Sequence, residues 1–414
     1  MGVVTCRSMS EASRTSPWEV PTSRSDGRCR RRLPRRRTRR PTEPTRSHQR
    51  PHSARRTGRA KLPLSRREPA VSRLGSGLAL PFETIRCRAH RLLFRLASVA
   101  VLHCVAGVSL AIEPAPIDFA AIGTPVIHRG DEVTAYRDPA AVYHDGVMHL
   151  YFTVVQMEEE GAFWYLGHST SRDLVHWSEP ELLTPRDREL NFSSPGNLIR
   201  VGGQWRICFQ SYPTPNNEVY GNETARLWIM RSNDLRKWSE PEMLAVKGPD
   251  VPRAEMGRMI DPYLIEDHAR QGRWWCFYKQ NGVSISYTDD WKTWHYVGRR
   301  DSGENVCVLR QDDGYLMFHS PQNGIGVMRS DDLRRWSPQP GLITLGQKSW
   351  PWANARLTAA TVLDLRDEPA VGRYVMFFHG ATQAGHRMHA AHGHGTLALA
   401  WSDDLVTWDW PDKE

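Results

Sequence analysis

The sequence predicts an all-β fold, a five-bladed β-propeller with four antiparallel strands in each blade. A seven-residue motif occurs five times, as SRDLVHW, SNDLRKW, TDDWKTW, SDDLRRW and SDDLVTW. Each copy follows a series of strand-like segments, and the copies end at Trp177, Trp238, Trp294, Trp336 and Trp408. Repeats of roughly 40 to 50 residues built from short strands are typical of propellers, and the longer intervals need only loop insertions.

The segments around the first copy show what one blade contains. DPAAVYHDG, VMHLYFTVV, FWYLGHSTS and HWSEPELL are four strand-sized segments separated by turn residues, which predicts one antiparallel sheet. In the motif we expect the Asp to accept hydrogen bonds from backbone amides of the turn between the last two strands. Its neighbour, Leu or Trp, then packs toward the adjacent blade. The alternative, a repeated aromatic ligand site, is disfavoured.

Charge divides the chain into two parts. Residues 1–111 hold 25 Arg and Lys against 6 Asp and Glu, whereas residues 112–414 hold 30 against 40. The net charge of +9 therefore comes from the front segment and does not indicate a nucleic-acid partner. Residues 1–85, rich in Arg and Pro, are predicted to be disordered. This segment is either a nucleic-acid-binding tail or, as we favour, sequence upstream of the true start of translation.

Residues 86–111 have the pattern of a signal peptide. A basic beginning precedes an apolar stretch at 96–110, with small residues at Ser109 and Ala111. We expect cleavage after Ala111 and a secreted or periplasmic protein without stable membrane association; an uncleaved anchor is the alternative. Residues 112–414 then form one propeller domain, which we expect to be a monomer.

Three cysteines fall within 112–414, namely Cys208, Cys276 and Cys307, each inside an apolar strand-like run. An odd number of cysteines in an exported protein does not make a disulfide framework. The sequence therefore predicts buried free thiols that pack as small hydrophobic groups. A reactive or metal-binding trio is the alternative.

Acidic residues stand at the start of the first strand in three blades. In a propeller these strands line the central axis, so Asp138, Asp261 and Glu304 are expected to meet at one end of it. Ser194 holds the corresponding place in blade two, and Thr358 or a neighbouring Ala in blade five. Like charges at close range repel each other, which favours a functional site over a structural one. The alternative is that the Asp residues form turns and that Glu304 is solvated.

The motifs that carry these carboxylates resemble a known group of enzymes. RDPA…GVMHLYFT, IDPYLIED…GRWWCFYK and GENVCVL…DGYLMFHS, within about 120–414, are similar to the five-bladed glycoside hydrolases of family 43 and their relatives in families 32, 62 and 117. Family 32 would have NDPNG, RDP and EC at these places, so the family 43 side fits better. The resemblance implies that Asp138 is the general base, that Glu304 is the general acid, and that Asp261 orients Glu304 and raises its pKa.

The resemblance implies an exported glycoside hydrolase that cleaves plant- or algal-type oligo- or polysaccharides with inversion, as an arabinofuranosidase or xylosidase does. Its partner is a carbohydrate substrate, and no cofactor is required. The alternatives are a non-catalytic carbohydrate-binding propeller and a retaining, invertase-like hydrolase on the same scaffold. The sequence does not specify the sugar, the linkage, or exo or endo action.

Further residues are candidates for substrate binding. Arg137 and Arg258 precede the two Asp residues and are expected to bind sugar hydroxyls or to neutralise the carboxylates. Ser194, His319 and His379 are candidates on the other blades. His379 matches a blade-five His that lies under the active site in family 43, sometimes beside an ion, so the resemblance allows a structural calcium near it. The tryptophans that either stack on sugars or pack between blades are Trp164, Trp350 and Trp352.

Overall fold

The computed structural model describes residues 114–384, 394–411 and 413, which belong to one compact unit. The predicted disordered segment 1–85 and the predicted signal peptide 86–111 lie outside the described residues. Within the described ranges the named helices are single 3₁₀ turns, and no helix is long and apolar enough to span a membrane. These turns are Phe119–Ala121, Arg253–Glu255, Gln347–Ser349 and Pro351–Ala353.

The strands form five antiparallel sheets, so the predicted five-bladed propeller is confirmed. Three blades are built from four consecutive strands, as expected from the repeats. Blade one contains β2 (Thr134–His144), β3 (Val147–Glu158), β4 (Gly161–Ser171) and β5 (Glu181–Leu182). Blade three contains β11 (Ile260–Glu266), β12 (Trp274–Lys279), β13 (Val283–Thr288) and β14 (Trp294–Arg300). Blade four contains β15 (Glu304–Gln311), β16 (Gly314–Ser320), β17 (Gly326–Ser330) and β18 (Ser337–Pro338).

Blade two has an interrupted inner strand. Both β6 (Phe192–Ser193) and β7 (Leu198–Val201) pair with β8 (Gln204–Ser211), so the break between them lies where the other blades have a bulge. The sheet continues outward through β9 (Leu227–Ser232) and β10 (Glu242–Met243).

Blade five closes the ring with strands from both ends of the described chain. From the axis outward it contains β19 (Arg356–Leu365), β20 (Arg373–Ala381) and β21 (Thr396–Ser402). The outer edge is shared by β22 (Trp408–Asp409) and β1 (Val126–His128), both of which pair with β21. The contribution of β1 was not predicted from the sequence. Because the first strand, β1, pairs with β21 of the last blade, closure of the ring depends on backbone hydrogen bonds between these two strands.

The repeated motif forms the same turn in every blade. The Asp carboxylate accepts hydrogen bonds from the two backbone N–H groups that follow the fourth residue, as predicted. The fourth residue itself has a positive φ, which is uncommon for a side chain of this size. These residues and angles are Leu174 (63°), Leu235 (60°), Trp291 (62°), Leu333 (59°) and Leu405 (63°). The motif is therefore a structural element.

Cys208, Cys276 and Cys307 are free and buried, in agreement with the sequence-based expectation. Burial raises the pKa of Cys208 to about 12 and that of Cys307 to about 11. Since the thiolate is the reactive form, these cysteines are inert packing groups.

Candidate active site

One residue per blade at the axis adopts a positive φ, and together these residues mark the pseudo-fivefold centre. They are Asp138 (48°), Ser194 (41°), Asp261 (51°), Asn305 (49°) and Ala359 (56°). In four blades the residue lies in a bulge of the first strand, and in blade two it lies in the gap between β6 and β7. A left-handed non-glycine residue costs of order 1–3 kcal/mol, and such residues cluster at functional sites.

This geometry corrects the alignment of the blades by one residue in blade four. Asn305, not Glu304, holds the axial position equivalent to Asp138 and Asp261. In blade five the equivalent residue is Ala359, the neighbouring Ala, rather than Thr358. Glu304, the residue before Asn305, therefore lies beside the axial position and not in it.

The axial residues are tied to their neighbours by a repeated hydrogen bond. In four of the five blades, the backbone N–H of the axial residue donates to a side chain on the second strand of the preceding blade. The pairs are Asp138 to His379 Nδ1 (3.1 Å), Ser194 to Thr153 Oγ1 (2.8 Å), Asp261 to Gln210 Oε1 (2.7 Å) and Ala359 to Ser320 Oγ (2.8 Å). The inner ends of adjacent blades are thus fixed relative to each other.

Lys279 occupies the corresponding second-strand position in blade three, and an ammonium group cannot accept a hydrogen bond. Its Nζ instead forms an ion pair with one carboxylate oxygen of Glu304. Arg356, at the start of β19, binds the other oxygen at 2.5 Å. The departure from the repeated pattern therefore supplies one of the two cations that hold Glu304 in place.

A cavity of about 330 Å³ lies over the axial residues. It brings together all three predicted catalytic carboxyl groups and three of the predicted binding residues. The lining residues are Arg137, Asp138, Trp164, Ser194, Gln210, Tyr212, Tyr220, Arg258, Ile260, Asp261, Lys279, Glu304, Asn305 and Arg356. A much smaller space at the axis itself is lined by the residues with positive φ and the segments that follow them.

The Asp138 carboxylate is buried and held by donors from three other strands or loops. Ser194 Oγ donates to its Oδ2 at 3.0 Å and Thr153 Oγ1 at 3.3 Å, while Asn305 Nδ2 donates to Oδ1 at 3.4 Å. His379 Nδ1 lies 3.6 Å from Oδ1. These contacts fix the orientation of the carboxylate toward the cavity that it lines.

The other two carboxyl groups have pKa values shifted in opposite directions. Burial, together with the negative charges of Glu304 and Asp138, raises the pKa of Asp261 to about 7. Burial would also raise the pKa of Glu304, but Lys279 and Arg356 outweigh it and lower that pKa to about 2. The expectation was that Asp261 would raise the pKa of Glu304. In the structure the pKa of Asp261 is instead the higher of the two, because two cations bind Glu304.

The two predicted histidines do not line the cavity but support residues that do. His379 is buried and accepts the N–H of Asp138. Burial and the charges of Arg137 and Arg356 hold its pKa well below the usual value, so the ring is neutral. His319 Nδ1 accepts the N–H of Gly303 at 2.9 Å and so positions the residue before Glu304.

A structural calcium near His379 stays a prediction from the sequence. The charged groups that act on its ring are two guanidinium groups and one carboxylate. Calcium requires six to eight oxygen ligands. Across residues 114–384, 394–411 and 413, no group of three or more His, Cys, Asp or Glu side chains is arranged to hold a metal.

Several residues of the cavity were not predicted from the sequence. Lys279 and Arg356 are the most consequential, and Lys279 had a detectable signal. It ends WWCFYK at the place where the other blades carry His, Thr, Gln or Ser. Trp164, whose role was left open, lines the cavity, whereas Trp350 and Trp352 stack on each other at 4.9 Å outside it.

The fold and the cavity define a five-bladed propeller with a carboxyl-rich axial site, an architecture found among glycoside hydrolases. Residues 133–309 match the sequence model of the glycosyl hydrolases family 32 N-terminal domain, a range that contains Asp138, Asp261 and Glu304. Family 32 is one of the relatives named from the motifs. The preference for family 43 over family 32 stays a prediction.

Comparisons with known proteins extend this result. An invertase from Schwanniomyces occidentalis is 24% identical over 123 residues, which is 29% of this chain and 23% of the invertase, so the match spans less than a quarter of that protein. A glycosyl hydrolase from Bacteroides ovatus superposes with a TM-score of 0.50 and 11% identity, covering 72% of this chain and 95% of that chain.

A second similar structure is the one described by the words "The GH130 family of mannoside phosphorylases contains glycoside hydrolases that target beta-1,2 mannosidic linkages in Candida mannan". It superposes with a TM-score of 0.51 and 13% identity, covering 72% of this chain and 96% of that chain. At these identities the two structures support the fold alone.

Proposed function

We propose that this chain is a glycoside hydrolase that cleaves oligo- or polysaccharides by general acid and base catalysis. The observation that carries the proposal is the convergence of Asp138, Asp261 and Glu304, from three different blades, on one cavity. The family 32 match over 133–309 supports it, because that range contains all three residues.

The reaction requires one ionised carboxylate and one protonated carboxyl group on opposite sides of the glycosidic bond. Asp138, oriented by Ser194, Thr153 and Asn305, takes a proton from the attacking water. Inversion requires about 6.5–9.5 Å between the two carboxyl groups, and retention about 5–5.5 Å. Inversion, implied by the resemblance to family 43, is the course that we propose.

Asp261 is the proton donor that the electrostatics favour. Its pKa of about 7 keeps a proton available near neutral pH, and the fixed negative charge of Glu304 is one of the causes. The negative charge of Glu304 therefore raises the pKa of Asp261, whereas the sequence predicts that Asp261 raises the pKa of Glu304. Glu304 becomes the donor itself only if Lys279 and Arg356 release it.

The proposal is tested by comparing Asp138→Asn, Asp261→Asn and Glu304→Gln on two aryl glycosides of the same sugar. A screen of nitrophenyl arabinofuranosides, xylosides, fructosides and mannosides first identifies that sugar. Asp138→Asn should lose about 10²–10⁴-fold in kcat with either leaving group.

A variant that lacks the proton donor should instead lose much less kcat when the leaving group is dinitrophenol, which leaves without protonation. We expect this signature for Asp261→Asn. If it belongs to Glu304→Gln, the donor is Glu304. If Asp138→Asn hydrolyses glycosides at the wild-type rate, Asp138 is not the base. If the wild type hydrolyses none of the glycosides in the screen, the proposed function is wrong.

A retaining, invertase-like reaction is the second candidate, favoured by the family 32 match and by the similarity to the S. occidentalis invertase. The anomer released in the first turnovers, observed by NMR, separates retention from inversion. A carbohydrate-binding propeller without activity would bind oligosaccharides in calorimetry and release no reducing ends.

The secreted or periplasmic location is a separate proposal that rests on residues 86–111 alone. Amino-terminal sequencing of the protein recovered outside the cytoplasm tests it, with cleavage after Ala111 as the expected result. An amino terminus upstream of residue 86 in the recovered protein would count against a cleaved signal peptide.

A further inference from the structure

The cavity contains more positive than negative side chains, although the domain around it is acidic. Four cationic residues, Arg137, Arg258, Lys279 and Arg356, line it together with three carboxyl groups. Residues 112–414 as a whole carry 30 basic and 40 acidic side chains. A positive cavity in an acidic domain indicates a ligand whose charge opposes that of the cavity.

Arg258 differs from the other cations in how it is held. The ion pairs of the cavity, within the described residues, join Lys279 and Arg356 to Glu304 and do not include Arg258. Its guanidinium group is instead bound by neutral acceptors. Nε donates to Gly221 O at 2.7 Å, and Nη2 donates to Tyr212 OH at 3.2 Å.

These contacts orient the guanidinium group through neutral acceptors, while its positive charge opposes the rise in the pKa of Asp261. Among the described residues, two of its five N–H donors have acceptors, and its Cζ lies 5.3 Å from the centroid of the Tyr212 ring. The nearby Glu223 accepts the backbone N–H of Arg258. A half-buried guanidinium held in this way is prepared to bind an anion with two parallel hydrogen bonds.

We propose that the substrate is an acidic sugar, and that Arg258 binds its anionic substituent. The substituent is a carboxylate, as in a uronic acid, or a sulfate ester, since both present paired oxygens to a guanidinium group. This inference rests on the proposed function and specifies its substrate class. The aromatic wall formed by Tyr212, Trp164 and Tyr220 then contacts the ring face of the same sugar residue.

The inference is tested by isothermal titration of the full chain with monosaccharides, which contain no glycosidic bond. D-Glucuronate, D-galacturonate and D-galactose 6-sulfate are compared with D-glucose and D-galactose. We expect at least one acid to bind about tenfold or more tightly than its neutral counterpart. The advantage should shrink between about 0.01 and 1 M salt, as the Debye length falls from about 30 to 3 Å.

Two substitutions of Arg258 separate its charge from its shape. Arg258→Gln should abolish the preference for the acid while leaving the affinity for the neutral sugar, and Arg258→Lys should retain part of the preference. Arg335→Gln, which removes an exposed Arg of a motif turn, controls for the change in net charge. The acid that gains most identifies the substituent as carboxylate or sulfate.

Three results would overturn the inference: no acid binds more tightly than its neutral counterpart, none of the acids binds measurably, or Arg258→Gln weakens acid and neutral sugar equally. The third result would make Arg258 a hydroxyl-binding residue. Since the titrations involve no turnover, they can fail while Asp138→Asn still abolishes hydrolysis, and the reverse is also possible.

Discussion

The backbone N–H of Asp138 donates a 3.1 Å hydrogen bond to Nδ1 of His379, so a side chain of the last blade positions the carboxylate proposed as the base in the first. The same two strands, β2 and β20, lie on either side of the seam where the ring closes. Formation of the proposed active site is therefore coupled to closure of the propeller.

Substitution of His379 should affect activity through this acceptor. Gln210 serves the equivalent role for Asp261, so His379→Gln keeps an acceptor and should retain most of kcat. His379→Leu removes the acceptor and should lower kcat by about 10²-fold, because a displacement of about 1 Å at a reacting group has that effect. Steady-state kinetics provide the measurement, and thermal melts show whether each variant folds. Equal losses in the two variants would mean that the hydrogen bond is not the cause.

The pH dependence of hydrolysis should report the raised pKa of Asp261. A proton donor with a pKa of about 7 loses its proton above that pH, so kcat/KM should fall on the alkaline side of pH 7. Glu304→Gln removes a negative charge that raises this pKa, and the alkaline limb should move to lower pH. Profiles of kcat/KM for both proteins give the answer. An alkaline limb that does not move would contradict the assignment of Asp261.

The same group should make the protein less stable as the pH rises. With the folded pKa raised above the unfolded value, the folded state binds more protons than the unfolded state between about pH 4 and pH 7. The contribution of Asp261 is fully present below pH 4 and is lost as the pH rises through 7. Urea unfolding should show this slope in the wild type, and Asp261→Asn should remove it. An identical slope in the variant would assign the effect to other groups.

Lys279→Gln should weaken the hold on Glu304. The lowered pKa of Glu304 stabilises the folded state above about pH 4.5, and this contribution is lost as the pH falls toward 2. Because Lys279 is about a third exposed, at 36%, solvent screening limits the expected loss near pH 6 to roughly 1 kcal/mol, and the loss should vanish near pH 2. Urea unfolding measures it. Lys292→Gln, an exposed lysine of a motif turn, is the matched control, and the same loss there would indicate a general charge effect.

The parts of this fold that were predictable from sequence are those with a local cause. The motif turns depend on hydrogen bonds within seven residues, so five copies predicted five blades. Asp138 and Asp261 were found because a proline follows each and marks the bulge. No proline follows Asn305 or Ala359, and the position of Glu304 was therefore taken one residue off.

What could not be predicted depends on contacts between distant segments. The ion pairs that lower the pKa of Glu304 join residues 25 and 52 positions away. The unusual Lys279 is visible in the sequence, but its pairing with Glu304 is not. The addition of β1 to the last blade likewise joins Val126 to Ala398. Both depend on the closed ring rather than on local residue preferences.

The turn motif offers a comparison within one copy, SDDLRRW in blade four. Asp332 Oδ1 accepts the N–H groups of Arg334 and Arg335 at 2.9 and 2.8 Å, whereas the adjacent Asp331 is exposed. Asp332→Ala should lower the free energy of unfolding by about 1–2 kcal/mol, and Asp331→Ala by less than about 0.5 kcal/mol.

Burial opposes the charge of Asp332, but the amides of Arg334 and Arg335 outweigh it and lower its pKa. The carboxylate therefore stabilises the folded state at pH values above the usual pKa range of Asp. The difference between the variants should shrink as the pH falls below that range, and urea unfolding across pH measures it. A difference that persists in acid would mean that packing, rather than the carboxylate, stabilises the turn.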